Sequence, residues 1–99
     1  MDSAYFWLGL SRKAGKIESG DAAVREALQR KKVCLLILAS DGAARTVNTF
    51  QKLAVDLKIP WVQFGLKAEL GTAIGKPPRT VLGITDPNLA SGLQKFLQS

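Results

Sequence analysis

The stretch "VCLLILASD", residues 33–41, decides the fold class of this chain. Residues 33–39 are continuously apolar, which is typical of a strand buried on both faces of a sheet. Such a strand needs a layer of helices on each side. Ser40 and Asp41 follow it directly and are candidate caps for the helix that comes next. The stretch therefore predicts a central strand in a layered α/β domain.

Helix and strand patterns alternate on both sides of this strand, and the chain of 99 residues is short enough for a single domain, residues 1–99. Apolar residues recur at helical spacing in several segments, and Asp86-Pro87 marks the start of a last helix. The alternation predicts an α/β fold with a mixed or largely parallel sheet between helices. The predicted helices are 3–12, 21–32, 43–57, 66–75 and a final one from residue 86, and the predicted strands are 33–39, 61–65 and 80–85, with a brief strand or turn at 17–19.

The composition favours a polyanionic partner and disfavours several classes of enzyme. The formal net charge is +6, and the sequence pI is about 9.8. Histidine is absent, so every triad that depends on imidazole is excluded. A single cysteine allows no intramolecular disulfide, and no segment resembles a membrane span or a secretion signal. We therefore expect a soluble cytoplasmic protein without a cofactor or a metal site.

Two aspartates offer the remaining route to catalysis. Asp41 and Asp86 each follow a predicted strand and precede a predicted helix, so a sheet could hold both carboxylates near one edge. Helix capping explains both positions better, and Cys34 within the apolar run reads as an inert core residue. The segment from Gly71 to Lys76 is not a nucleotide-phosphate loop, because its spacing is one residue short and Pro77 replaces the required Ser or Thr. An enzyme acting through these strand ends is the weakest hypothesis.

Basic residues beside turns suit structured RNA. Arg12, Lys13 and Lys16 surround one glycine turn, and Gly20 opens the second helix, whose free N–H groups can bind phosphates or base acceptors. Pro77 and Pro78 stiffen a loop flanked by a lysine and an arginine, so little entropy is lost when the loop docks. Most of the aromatic residues fall on apolar faces and are expected in the core.

The motifs "AGKIESG" opening a helix, "CLLILASD" as strand and cap, "IPWVQFG", and "KAELGTAIG" before a strand resemble those of a known family. It is the kink-turn RNA-binding ribosomal protein family of archaeal L-seven-Ae and eukaryotic L-thirty-e. The similarity is strongest to its short bacterial YlxQ-like branch and covers roughly residues 12–85. The resemblance implies a three-layer α/β/α sandwich around a four-stranded mixed sheet, and a non-enzymatic protein that binds a kink-turn or similar internal loop in ribosomal or other structured RNA.

The resemblance also implies where the RNA binds. The start of the helix after Gly20 would enter the kinked RNA and read sheared G·A pairs, while the loop 76–81 would cover a flipped-out nucleotide. We therefore expect these two segments to lie side by side as one electropositive edge. The predicted RNA contacts are Lys16, Gly20, Asp21, Arg25, Lys67, Lys76, Pro78, Arg79 and Val81.

The chain departs from the family pattern at one important point. The RNA-binding relatives carry an Asn-Glu pair and a later lysine on the second helix, whereas this chain has Ala22, Ala23 and Glu26 there, with Asp21 before them. The side chains that would bind guanine edges are absent, and Asp21 and Arg25 are the available substitutes. The departure keeps an alternative open, a protein-interaction domain of the same fold that docks on a ribosomal protein or translation factor.

Overall fold

The computed structural model describes residues 3–98, and Met1, Asp2 and Ser99 lie outside them. The described residues form five helices and four strands that alternate along the chain. Both the number and the order follow the sequence pattern. The elements are α1 (Ser3–Lys13), β1 (Ile17–Ser19), α2 (Asp21–Gln29), β2 (Leu35–Leu38), α3 (Ala44–Asp56), β3 (Trp61–Gln63), α4 (Lys67–Ala73), β4 (Val81–Ile84) and α5 (Pro87–Gln98).

The four strands form one mixed sheet in the order β1-β4-β2-β3. β2 and β3 run parallel, with Leu36 opposite Trp61, and β4 runs antiparallel to both β1 and β2. The two central strands, β2 and β4, are buried along their whole length. The central position predicted for the apolar run is therefore confirmed, as is a sheet of mixed direction.

Alternate residues of β2 enter two separate cores, one on each face of the sheet. Leu35 and Ile37 pack with α1, α4 and α5, whereas Leu36 and Leu38 pack with α2 and α3. Strand side chains point alternately to opposite faces, so a fully apolar strand requires an apolar layer on both sides. The expected three-layer α/β/α sandwich is confirmed.

The second helix ends earlier than the sequence pattern predicted. The pattern extended it to residue 32, but the structure ends α2 at Gln29. Lys31 adopts a left-handed conformation with φ 59°, and the Lys32 amide donates to the Ala27 carbonyl at 2.9 Å. This is a Schellman ending, in which a left-handed residue turns the chain out of the helix. The lysines predicted as the last helical turn therefore lie in the loop before β2.

The direction of β4 gives the sheet two chemically different ends. β1, β2 and β3 finish, and β4 begins, at the end that we call the loop end, which contains residues 20–21, 40–43, 64–67 and 76–80. β1, β2 and β3 begin, and β4 finishes, at the opposite end, which we call the far end. The far end contains Lys16 and residues 30–34, 58–60 and 85–86.

The two candidate catalytic aspartates lie at opposite ends of the sheet. Asp41 follows β2 at the loop end, and Asp86 follows β4 at the far end. Both are helix caps: the Leu89 amide donates to Asp86 at 2.9 Å, as expected for α5. Asp41 accepts from the Lys67 amide at 2.7 Å and so caps α4, not the α3 that follows it in sequence. The idea that both carboxylates could share one edge was wrong, because β4 is antiparallel to β2.

Four of the seven aromatic residues lie in or against the core. Phe50 is fully buried, and Tyr5, Trp7 and Phe64 pack against the core formed by α1, α4 and α5. The other three aromatic side chains remain exposed. They are Phe6, Trp61 and Phe96.

Cys34 is half-buried at the far end, although the sequence placed it inside a core strand. It precedes β2, and its amide donates to the Ile84 carbonyl at 2.7 Å. Burial raises the pKa of its thiol, and the negative charge of Asp86 raises it further. The raised pKa keeps the thiol protonated, which agrees with the prediction of an unreactive group.

Candidate nucleic-acid interface

The start of α2 presents backbone donors without a side-chain cap. Gly20 has φ 90° and ψ 160°, a conformation that residues with a Cβ atom rarely adopt. The chain can turn into the helix here because this residue is glycine. No side chain accepts from the first turn, and Asp21, Ala22 and Ala23 are all exposed. The first amides of a helix have no partner within it, so these donors are available to an outside acceptor.

The start of α2 and the loop before β4 lie side by side, as expected. The Gly20 amide donates to the Val81 carbonyl at 3.1 Å, and Arg79 Nε donates to Ser19 Oγ at 3.4 Å. The first of these bonds extends the pairing of β1 with β4, in which Ser19 lies opposite Leu82, and the second adds a side-chain contact. The two segments therefore form one edge held by main-chain geometry.

The loop 76–80 is fixed by α4 beneath it and by its own arginine. The Lys76 amide donates to the Gly71 carbonyl at 2.8 Å, and the Pro77 carbonyl lies where a side chain at Gly71 would begin. Arg79 Nη1 donates to the carbonyls of Pro77 and Pro78 at 3.3 and 3.2 Å. The ring constraint of two prolines adds to these bonds. The result is a rigid loop whose prolines remain exposed.

The turn after β2 completes the loop end. The Ala39 amide donates to the Thr80 carbonyl at 2.8 Å, and the Ser40 amide donates to the Gly65 carbonyl at 2.8 Å. α3 begins from this turn after Ala43, and no side chain caps it. Two helices of the described chain, α2 and α3, therefore direct uncapped amino ends towards the same end of the sheet.

The loop end carries more cations than free carboxylates. Lys67 and Lys76 are exposed, and Arg79 is half-buried against its own loop. Of the carboxylates, Asp41 is already bonded to the Lys67 amide, which leaves Asp21 as the exposed acid in the first turn of α2. Helix amino ends add positive potential to these side chains. The edge is therefore electropositive, with one acidic group beside the open amides.

Two of the predicted RNA contacts stand apart from the others. Lys16 lies at the far end, because it precedes β1 whereas Gly20 follows it. The side chain of Val81 is fully buried in the core beneath α2 and α3. Only its backbone carbonyl takes part in this edge, where it accepts from the Gly20 amide. The remaining predicted residues do meet at the loop end, with one of them, Arg25, a helical turn along α2. They are Gly20, Asp21, Arg25, Lys67, Lys76, Pro78 and Arg79.

Arg25 is held in place by an aromatic ring. Its guanidinium carbon lies 5.1 Å from the centre of the Phe50 ring, within the range of a cation–π contact. The side chain is half-buried as a result. Arg25 therefore bridges α2 to α3 and keeps its charge near the loop end.

Sequence reasoning missed two exposed residues at the loop end. Leu66 was placed on the buried face of α4, but its side chain is 48% exposed because it precedes the first turn of the helix. Arg45 is exposed in the first turn of α3. The one sequence signal for the exposure of Leu66 was its position directly before a predicted helix. No sequence signal distinguished Arg45 from other surface arginines.

Glu69 orients α4 beneath the loop. Its Oε1 accepts from Tyr5 Oη at 2.7 Å and from the Leu66 amide at 3.0 Å. The bond from Tyr5, followed by the bond from Leu66, lowers the pKa of the Glu69 carboxyl below its usual value. The carboxylate thereby ties the start of α4 to α1.

Other kinds of site find no support in residues 3–98. No group of three or more His, Cys, Asp and Glu residues in this range could hold a metal ion. No helix within the same range is long and apolar enough to cross a membrane.

Comparison with known proteins identifies similar chains of nearly equal length. The RNA-binding protein YlxQ of Bacillus subtilis (strain 168) is 30% identical over 90 residues, which cover 91% of this chain and 90% of that protein. The RNA-binding protein YlxQ of Enterococcus faecium is 25% identical over 91 residues, which cover 92% and 87% of the two chains.

Solved structures show the same architecture. A protein with unknown function from Bacillus halodurans matches with a TM-score of 0.95 and 29% identity over 100% of both chains. The Giardia lamblia 15.5kD RNA binding protein matches with a TM-score of 0.84 over 99% of this chain and 90% of that one, and its 19% identity supports the fold alone. A sequence model of a ribosomal protein family matches residues 2–93. The resemblance found in the motifs is therefore confirmed: this chain belongs to the Ribosomal protein L7Ae/L30e/S12e/Gadd45 family, in its YlxQ-like branch.

Proposed function

We propose that this protein binds structured RNA through its loop end and recognises a kink-turn or a similar internal loop. The observation that carries the proposal is the uncapped start of α2, hydrogen-bonded through Gly20 to the base of the proline loop. The names of the YlxQ relatives as RNA-binding proteins support the same partner. The RNA is ribosomal or another structured cytoplasmic RNA, and the protein acts by binding, without catalysis.

In this proposal the backbone of α2 performs the recognition for which the family resemblance implies side chains. The exposed amides at the helix start donate to guanine O6 and N7 or to phosphate oxygens. Ala22 and Ala23 leave these amides unobstructed, because their side chains are too short to cover them. The carboxylate of Asp21 accepts from the amino group of a guanine, which restores one of the polar contacts that the missing Asn-Glu pair would have made.

The proline loop provides the surface for an extruded base. Pro77 and Pro78 are exposed and held by Arg79, so the loop is already ordered before RNA binds. The exposed side chain of Leu66 extends the apolar area at the same end. Unstacked bases commonly pack on such protein surfaces, and a rigid surface loses little entropy in doing so.

The cations of the loop end bind the phosphates on either side of that base. Lys67 and Lys76 have exposed ammonium groups that can follow a backbone path. Arg79 has two functions in this proposal, since Nε and Nη1 hold the loop while the charge of the guanidinium attracts the phosphates. Phosphate contacts set the position of the RNA, and the amides of α2 set its identity.

The proposal is tested by titrating the protein with three RNAs at fixed salt. They are a kink-turn RNA, the same RNA with its sheared G·A pairs changed to Watson–Crick pairs, and a plain duplex. We expect at least a tenfold preference for the first, which is ~1.4 kcal/mol. Equal affinity for all three would reject recognition of the internal loop and leave a charged surface without selectivity.

Single substitutions locate the site. We expect Lys76→Ala to weaken kink-turn binding and to lower the salt dependence by about one phosphate contact. Arg79→Ala should weaken it more, because the loop loses its internal bonds as well. Lys52→Ala, an exposed position in the middle of α3, is the matched control and should leave affinity unchanged. If neither loop variant changes affinity or salt slope, the loop end is not the RNA site.

One observation favours a second candidate function. Ala22, Ala23, Ala43 and Ala44 are all exposed at the loop end, which gives it a small apolar surface where polar readers are expected. Such a surface suits a protein-interaction domain that docks on a ribosomal protein or translation factor. Failure to bind any of the three RNAs would support this candidate over the first.

A further inference from the structure

A second basic site lies at the far end, in an open groove of ≈ 520 Å³ between the end of α2 and the edge strand β1. Lys16, Lys31 and Lys32 line it, and Cys34 forms part of its wall. We infer that this groove binds the phosphate backbone of a second RNA segment, distinct from the one bound at the loop end. The inference rests on the proposed function and extends it: the protein bridges two stretches of RNA. The other lining residues are Gly15, Glu18, Ala27 and Thr85.

The side chains that line the groove include more cations than acids. α1 and α2 both finish near it, and each carboxyl end carries the equivalent of about −0.5 elementary charge. Three lysines line the groove against one carboxylate, that of Glu18. Asp86 is the other acid near Cys34, and its Oδ2 accepts from the amide of α5 that it caps. Among the lining side chains, cations therefore outnumber carboxylates, as a phosphate chain requires of its site.

Lys31 occupies a backbone position that glycine fits better. α1 and α2 end in the same hydrogen-bonded motif, and α1 places Gly15 at the left-handed position, with φ 68°. α2 places Lys31 there, with φ 59°. A residue with a Cβ is disfavoured in this conformation by about 1–2 kcal/mol. Lys58 closes α3 in the same motif, also with φ 59°, so two of these three helix endings carry a lysine at the strained position and both lie at the far end.

The groove and the loop end contact separate RNA segments. Lys16 and Gly20 are four extended residues apart, about 13 Å. An adjoining hollow of ≈ 200 Å³ along α2 is lined by Glu18 and Glu26 as well as by Arg30 and Lys32, so the positive charge is lower on this face than in the groove. In the turns that close α1 and α2, the amides of Lys16 and Lys32 donate to the carbonyls of Ser11 and Ala27. These two turns therefore offer positive charge but no open backbone donors. We therefore expect the groove to bind RNA backbone without reading sequence.

Cys34 is the single cysteine of the chain and reports directly on the groove. Because the thiol is protonated at neutral pH, the rate of its alkylation by iodoacetamide, a neutral reagent, is measured at mildly alkaline pH, with and without a plain RNA duplex of about 16 base pairs. We expect the duplex to slow alkylation at least threefold at low salt, with recovery as salt is raised. An unchanged rate with saturating duplex would overturn the inference.

The same measurement separates this inference from the proposed function. In the Lys76→Ala and Arg79→Ala variants, protection of Cys34 by the plain duplex should persist, because the groove is intact. In the unsubstituted protein, protection of Cys34 without any preference for sheared G·A pairs would reject the loop end alone. Retained G·A preference without protection would reject the groove alone.

A triple variant tests the lysines themselves. Lys31→Gly relieves the left-handed strain and so preserves the fold, and it is combined with Lys16→Gln and Lys32→Gln. We expect weaker binding of the plain duplex, by about tenfold at low salt, and a salt slope lower by two to three contacts. Preference for sheared G·A pairs over Watson–Crick pairs should remain. Lys52→Gln is the control for loss of charge elsewhere. Unchanged duplex affinity and slope in the triple variant would overturn the inference.

Discussion

The two ends of the sheet are both basic, but they differ in the state of their backbone. At the loop end, α2 and α3 begin without side-chain caps, so amides remain open beside Lys67 and Lys76. At the far end, α1, α2 and α3 finish, and the chain folds back so that amides satisfy the last carbonyls. Lysine side chains then project from closed turns.

This difference separates recognition from attraction. An open amide is a directional donor with a fixed position, so it can distinguish one base edge from another. A lysine ammonium is a flexible point charge, which binds phosphate with little regard to sequence. Net charge alone therefore describes neither end correctly. The loop end has the groups needed for selectivity, and the far end has the groups needed for affinity.

The largest expected effect comes from Gly71, which lets the proline loop cross α4. A Cβ on this residue would overlap the Pro77 carbonyl, so Gly71→Ala must displace the loop or the helix. We expect a loss of about 2–3 kcal/mol of unfolding free energy, measured by chemical denaturation. Gly9→Ala in α1 is the matched control, since the nearest atom to its added Cβ is 3.8 Å away. That change should be neutral or stabilising by up to ~1 kcal/mol through helix propensity. Equal effects of the two changes would show that the close crossing at the loop end is not a constraint.

A smaller effect is expected from the two capping aspartates, one at each end. Asp41→Ala and Asp86→Ala each remove a bond to a helix amide and should each lower stability by about 1 kcal/mol. Only Asp41→Ala should also weaken RNA binding, because Asp41 holds the start of α4 beneath the proline loop. Denaturation curves and RNA titrations of both variants measure the contrast. Equal loss of RNA affinity in both would remove the functional distinction between the ends.

The smallest effect is a pH dependence at Glu69. Its pKa is lowered in the folded protein, so its contribution to stability is present above its ordinary value of 4.5 and is lost as pH falls through the lower folded value. Glu69→Gln keeps the acceptor oxygen but removes the charge. We expect the difference in stability between wild type and variant to be positive at neutral pH and to shrink below about pH 4.5. Glu26→Gln, at an exposed position of α2, is the control. A difference that does not change between pH 7 and pH 3 would contradict the assignment.

Local sequence patterns accounted for most of the fold because the signals were short-range. The apolar run at 33–39 predicted a central strand, and the Asp86-Pro87 pair predicted the start of α5. Both depend on neighbours within a few residues, and both were confirmed. The cap formed by Asp41 was assigned to the wrong helix, because its partner Lys67 is distant in sequence and is brought close by the turn after β3.

The candidate site was only partly predictable, since it depends on strand direction. The motifs identified the start of α2 and the proline loop, and the structure brings them together through the pairing of β1 with β4. The same motifs assigned Lys16 and Val81 to that edge. Lys16 lies at the other end of β1, and Val81 points into the core. No local pattern distinguishes these outcomes.

The amino-acid sequence was sufficient for the family, the order of helices and strands, and the excess of positive charge, because these depend on composition and on spacing between near neighbours. The tertiary structure decided how that charge is divided. β4 runs against the other three strands, so one end of the sheet collects open helix starts and a braced loop, and the other collects helix ends and lysines. Strand direction results from contacts between residues far apart in the chain, and those contacts are made only when both cores pack against the two faces of the sheet.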